Sequence, residues 1–152
     1  YPSYRLARAA SQKNNTFFRL FNHIKSNKIE MTSPVEMRYE ESDQKYQQID
    51  MAFLYGAPDW GKVGDTGDGV IVEDIPAMST VAIGLTGDFD PNPSAYIDAL
   101  ESWLARNASD YERDGQVRVM AYNSPFVRKS QRFFEIEIPV RKRTSDAEIA
   151  KP

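Results

Sequence analysis

The same order of elements can be read twice along this chain. Each half offers a strand, an amphipathic helix, an extended segment carrying a Ser-Pro turn, and further strand. In the first half, Tyr4-Arg5-Leu6-Ala7-Arg8-Ala9 reads as a strand. Phe17, Leu20, Phe21 and Ile24 then fall at the i, i+3, i+4, i+7 spacing that lays one apolar stripe along a helix. Asn14 or Asn15 is placed to cap that helix and Ser26-Asn27 to end it. Lys28 to Val35 runs extended, because a residue before proline is pushed out of the helical region, and the strand continues to about Tyr39. In the second half, Ser79 to Leu85 is a strand and Pro91-Asn92-Pro93-Ser94 opens a helix with the stripe Tyr96, Leu100, Trp103 and Leu104. Val117 to Tyr122 and Phe133 to Val140 are its later strands. Met31-Thr32-Ser33-Pro34-Val35 answers Tyr122-Asn123-Ser124-Pro125-Phe126, which favours an internal duplication. Two β-α-β-β halves predict an α+β fold: a curved antiparallel sheet or distorted barrel with two main helices and a cleft between the halves.

The stretches between these landmarks add strands and one loop. Glu40 to Lys45 reads as a charged turn and Tyr46 to Tyr55 as a strand. Asp59 to Gly69 gathers Gly61, Gly64, Gly67 and Gly69 with Asp59, Asp65 and Asp68. It lacks the spacing and the closing bidentate glutamate of a calcium loop, so it reads as a mobile surface loop. Val70 to Ile75 resumes strand character until Pro76 interrupts it. A chain of 152 residues has room for one core, since an independent domain takes roughly 100 residues. Residues 1–140 are therefore assigned to a single domain and 141–152, led by Arg141-Lys142-Arg143, to a disordered tail.

Composition removes several kinds of chemistry. A net charge of -3 argues against a general phosphate-backbone binder, so nucleic acid is expected to be a poor partner. The absence of cysteine excludes disulfides, thiolate nucleophiles, Cys-based metal sites and thioether-linked heme. With one histidine and no cysteine, no Ser-His-Asp, Cys-His or metal-ligand cluster stands out in the sequence. No apolar run approaches the ~18 residues that span a bilayer, and no signal peptide is evident. The chain opens on Tyr1 instead of Met, which points to removal of an N-terminal segment and leaves the compartment open.

Phe17-Phe18-Arg19-Leu20-Phe21-Asn22-His23-Ile24, followed by Lys28-Ile29-Glu30-Met31-Thr32-Ser33-Pro34-Val35, resembles the helix and K-I-x-M-T-x-P-V signature of the SOUL/heme-binding-protein family. Val72-Glu73-Asp74-Ile75-Pro76-Ala77-Met78 and Tyr122-Asn123-Ser124-Pro125-Phe126, with Arg132 and Glu135 beyond, continue the match in the same order to about residue 140. The resemblance implies the duplicated α+β fold, a monomer, and reversible non-covalent binding of heme, porphyrin or a similar flat apolar ligand. In the family the macrocycle rests on the first helix and the loop after the Tyr-Asn-Ser-Pro turn, without an obligatory axial ligand. Carried over, this assigns Phe17, Phe18, Leu20, Phe21 and Ile24 on the helix and Pro125, Phe126 and Val127 on the loop. Several helix positions that are Met in the family are Phe here, which keeps a flat apolar wall. Asn14, Asn22 and Val127 replace the family's cations, so pairing with propionates falls to Lys25, Arg128 or Lys129.

His23 invites an axial-ligand role, but the family pattern has Tyr at this point and the residue sits beside helix core positions, so a packed histidine is the preferred reading. Met31, Met37 and Tyr122 would be substitutes on residue type alone. Glu135 and Glu137 alternate with Phe134, Ile136 and Ile138, which places both carboxylates on one sheet face, ordinarily a solvated one. The related gyrase-inhibitor-like domains imply an alternative function, a small-molecule hydrolase or drug-binding receptor using the inter-half cleft. Glu135 would then act as general base on water and Tyr122 would position the electrophile.

Overall fold

The computed structural model describes residues 1–11, 15–43, 45–57, 59–88, 93–124 and 126–143. In chain order the elements are β1 (Tyr4–Ala10), α1 (Thr16–Ser26), β2 (Val35–Ser42), β3 (Lys45–Leu54), β4 (Gly64–Asp65), β5 (Ile71–Ile75), β6 (Ser79–Thr86), α2 (Ser94–Arg106), β7 (Tyr111–Arg113), β8 (Val117–Ala121) and β9 (Phe133–Lys142). All nine strands join one antiparallel sheet in the order β4-β5-β1-β3-β2-β8-β9-β6, with β7 added on β9. The sheet is curved but not closed into a barrel.

The duplication is written in this order. β1-β3-β2 of the first half is mirrored by β6-β9-β8 of the second, and the halves join where β2 pairs with β8. The Ser-Pro landmarks are not its equivalent points, however. Ser33-Pro34 precedes β2, whereas Ser124 follows β8, so the two turns lie at one end of neighbouring strands, where Val35 pairs with Ala121. Pro125 itself lies outside the described residues, as do Asn14, Pro91 and Asn92.

Strand alternation sorts side chains onto two unlike faces. Ala7, Ala9, Phe53 and Val72 pack with Leu20 and Ile24 under α1, while Val117, Val119, Phe134, Ile136 and Ile138 pack with Leu100 and Leu104 under α2. Ile97, outside the predicted α2 stripe, is sealed in this core, and Tyr96 is partly exposed instead. The opposite face carries Arg8, Glu36, Arg38, Asp50, Arg118 and Glu137, described below.

α1 ends in a Schellman motif, with Ile29 N–H donating to Ile24 O at 2.9 Å and Lys28 N–H to Lys25 O at 3.2 Å. The left-handed position, usually glycine, is Lys28 with φ of 57°. Its start has Asn15 at the cap position, without a side-chain cap bond.

Three further expectations change. The Glu40–Lys45 turn is shorter, because β2 runs to Ser42 and β3 begins at Lys45. The Gly/Asp-rich loop is tied down: Gly64 and Asp65 pair with β5, Thr66 bonds Val70, and Arg5 reaches the carbonyls of Trp60 and Gly61 at 3.2 and 2.9 Å. The basic tail is structured to Arg143, because β9 runs to Lys142 alongside β7 and Arg143 N–H donates to Asp110 O at 2.7 Å. Residues 144–152 lie outside the described ones.

Candidate functional site

α1 buries Leu20 and Ile24 against the sheet and turns a phenylalanine cluster outward. Phe17 packs edge-on to Phe53 at 5.2 Å, stacks on Phe21 at 6.2 Å and 11°, and meets Phe18 edge-on at 5.9 Å. Phe18 and Phe21 are 61% and 39% exposed, and Lys25 is exposed one turn on. An outward aromatic surface of this kind is what a flat apolar molecule can lie on. Ile24, assigned from sequence to the same surface, lies beneath it in the core.

The loop after β8 stands at the same end of the sheet. Ala7, Phe53, Val35, Ala121 and Phe134 form one cross-strand row, so Phe17 on Phe53 and the segment that follows Ala121 are about two strand spacings, roughly 10 Å, apart. Phe126 is 97% exposed, Arg128 is exposed, and Val127 N–H is turned back onto Ser124 O at 3.0 Å. Lys129 is already paired with Asp88 at 2.8 Å.

His23 faces inward. It is 4% exposed, with Nδ1 3.3 Å from Asp68 Oδ2 and Nε2 3.0 Å from the Tyr55 hydroxyl. An ionised Asp68 can only accept, so Nδ1 is the donor, and a neutral ring accepts the Tyr55 proton at Nε2. Both nitrogens are engaged, as a packed histidine requires. Burial pushes the Asp68 carboxyl up, but bonds from Thr66, His23 and the Val70 N–H outweigh it and hold the group below its usual range. Among the described residues no cluster of three metal-ligating side chains occurs.

The other face of the sheet holds a charge network of which only Glu137 was singled out from the sequence, as a solvated strand residue. Arg8 donates to Asp50 and Glu36 at 2.9 Å each and to Glu73 at 2.5 Å, and Arg38 shares Asp50. Arg118 donates through Nε to Glu137 at 2.8 Å, and through Nη1 to Tyr4 at 2.8 Å and Glu36 at 3.2 Å. Glu137, expected to be solvated, is 1% exposed. Burial raises its carboxyl above the ordinary value against the opposing pull of Tyr1 and Arg118. One charge within each apolar strand, as in Val117-Arg118-Val119, was the available signal; only cross-strand pairing reveals that the charges meet.

Glu135 and Tyr122 are brought together, the Tyr122 hydroxyl donating to Glu135 at 2.5 Å. Burial first, and Glu135 second, push the Tyr122 phenol up to about 12, so it is a neutral donor near pH 7. A cleft of about 780 Å³ opens on this face, lined by Tyr1, Tyr4, Arg118, Met78, Pro139 and Arg141 among others. Glu135 and Tyr122 are not on its walls; the Tyr1 hydroxyl touches both, at 3.5 and 3.3 Å. No helix is long and apolar enough to cross a membrane among the described residues.

No curated protein matches the chain. Among solved structures, the EcmrR-DNA complex in EcmrR-RPo superposes with a TM-score of 0.70 at 19% identity, covering 94% of this chain and 56% of that one. The chain thus spans little more than half of the DNA-bound protein's length. The crystal structure of the EcmrR C-terminal domain gives 0.64 at 17% identity, covering 94% of each chain. A hydrolase from Listeria innocua gives 0.62 at 9% identity, covering 92% of this chain and 88% of that one. At these identities the likeness establishes the fold. The charge-based expectation against nucleic acid gains no support from them, since one match is a DNA complex. The sequence profile described as SOUL heme-binding protein matches residues 1–139.

Proposed function

The chain belongs to the SOUL heme-binding protein family, and from that premise we propose that it binds heme, porphyrin or a similar flat apolar ligand reversibly on the outer face of α1. The observation that carries this reading is the outward cluster of Phe17, Phe18 and Phe21 standing at the same end of the sheet as exposed Phe126. The residues fit a macrocycle held without an axial ligand. Phe17, Phe18 and Phe21 supply the flat wall, with Ile24 backing it from the core. Phe126 and Val127 supply the loop side, with Pro125 assigned there by the family resemblance alone. Lys25 and Arg128 are exposed cations for the carboxylates, and Lys129 joins them if it leaves Asp88. Burial of apolar area supplies the affinity at roughly 25 cal/mol per Å² before ordering costs. The protein acts as a monomeric carrier and adds no redox chemistry of its own.

Titration of the purified protein with hemin, followed at the Soret band and by tryptophan quenching, tests this. Saturable one-to-one binding is expected, weakened by Phe21→Asp and little changed by His23→Ala. A large loss in His23→Ala would reinstate iron ligation, and absence of binding would remove heme.

A second reading keeps the opposite face as the site of a small-molecule hydrolase or drug receptor, favoured by the 2.5 Å contact between Tyr122 and Glu135. Glu135→Gln separates the two: a carrier keeps its hemin affinity, whereas a hydrolase loses turnover.

A further inference from the structure

The cleft opposite α1 already contains a phenol, the side chain of Tyr1. The Arg118 guanidinium carbon lies over the face of its ring, 4.8 Å from the centroid. Its hydroxyl donates to Glu137 and meets Tyr122, while its backbone carbonyl accepts from Met78 N–H at 3.0 Å. Burial and Glu137 push this phenol far above the ordinary tyrosine range, so it remains a donor. Tyr1 belongs to no strand and is 39% exposed, and its amino group donates to Met78 O at 2.8 Å.

One donor in the cleft is left over. Arg118 has 3% of its side chain exposed, its Nε and Nη1 are bonded, and its Nη2 is buried without a partner. An orphaned buried donor of this kind is unfavourable, because its lost hydration is not replaced. A ring lying over a guanidinium presents no acceptor in its plane, so Tyr1 leaves this demand unmet. The walls carry Arg8, Arg38, Arg118, Arg141 and Lys142 against Glu36 and Asp114. Arg8, Arg38 and Arg118 are neutralised by Asp50, Glu73 and Glu137 behind them, and Arg141 by Glu112. Lys142 makes no ion pair among the described residues.

We propose that this cleft is a binding site for small phenolic acids, with Tyr1 as its resident stand-in. The ligand's ring takes the place of Tyr1 against Arg118, and its hydroxyl donates to Glu137. Its carboxylate accepts from Lys142 at the rim. Binding requires Tyr1 to swing out, so the chain competes with its own ligand.

4-Hydroxybenzoate is the probe, added to isotopically labelled protein and followed by amide chemical shifts. Removing an intramolecular competitor raises affinity by the inverse of the fraction of open cleft, so Tyr1→Ala is expected to bind at least about five-fold tighter than the wild type. Tyr1→Phe, which keeps the ring on Arg118 and drops the hydroxyl's bonds to Glu137, Tyr122 and Glu135, should fall between them. Benzoate, without the hydroxyl, and p-cresol, without the acid, should each bind more weakly than 4-hydroxybenzoate. Ala77→Trp, on the exposed cleft wall, should abolish binding. The proposal is overturned if neither Tyr1 variant gains affinity while folded by circular dichroism, if Ala77→Trp leaves binding unchanged, or if benzoate binds equally well. Should Tyr1→Ala unfold, Tyr1→Phe and Ala77→Trp decide the matter. Ala77→Trp should leave the hemin titration unchanged, so failure at one face is distinguishable from failure at the other.

Discussion

Arg118 and Glu137 meet across the β8–β9 ladder at 2.8 Å with only 3% and 1% of their side chains exposed. Desolvating both ions is expensive, and what offsets it is the set of further bonds to Glu36, Tyr4 and Tyr1. Removing one ion strands the others. Arg118→Met is expected to lower unfolding stability by about 3–5 kcal/mol, with part recovered in Arg118→Met/Glu137→Met. Urea unfolding followed by circular dichroism measures both, and a single-variant loss below about 1 kcal/mol would mean the cluster is hydrated in solution.

The buried phenols set the alkaline limit. Burial, the largest cause in each, pushes Tyr4, Tyr39, Tyr55 and Tyr122 up to about 12. In the unfolded chain these groups titrate near 10. Between about pH 10 and about pH 12 the folded state therefore holds more protons, and stability falls as pH rises through that window. Glu137 acts with the same sign at lower pH, since its folded value is also raised. Thermal melts on either side of pH 10, paired with a tyrosinate absorbance titration, should show the loss of stability preceding full ionisation. Simultaneous titration of all tyrosines near 10 without unfolding would contradict it.

Lys28 occupies a left-handed position at φ 57° where a side chain costs roughly 1–2 kcal/mol over glycine, partly repaid by its smaller entropy loss on folding. Lys28→Gly is expected to stabilise the protein by about 0.5 kcal/mol, a small upward shift of the melting temperature. Lys28→Val should move it the other way.

Leu20 and Phe18 are near neighbours on α1 with opposite duties. Leu20→Ala, in the sealed core, should cost about 2–5 kcal/mol by leaving a cavity. Phe18→Ser, on the exposed side, should cost less than about 0.5 kcal/mol yet weaken hemin binding. Parallel melts and hemin titrations check the contrast, and equal hemin affinity in Phe18→Ser would move the ligand elsewhere.

Periodicity made α1 and most of the strands legible, because each buries one face on the sheet. β7 escaped notice at three residues, too short to show alternation. Arg141 and Lys142 read as tail because they are basic, yet the strand continues through them, with Arg141 paired to Glu112 at 2.6 Å. The aromatic surface of α1 and the inward-facing His23 followed from helix spacing and family likeness. The Arg8, Glu36, Arg38, Asp50 and Arg118 cluster did not, since each residue alone reads as a solvated strand position and the partners come from β1, β2, β3 and β8. A cleft between the halves followed from the duplicated fold, but its charged lining and the Tyr1 side chain inside it did not.

A sheet oiled on one side and ionised on the other carries its own spelling check. Sliding β8 by one residue against β9 would drive Arg118 under α2 and expose Val119 to the cleft, so an odd-residue slip places a bare charge in hydrocarbon. The ion pairs therefore serve as a registration key for the strands that carry them, β1, β2, β3, β5, β8 and β9.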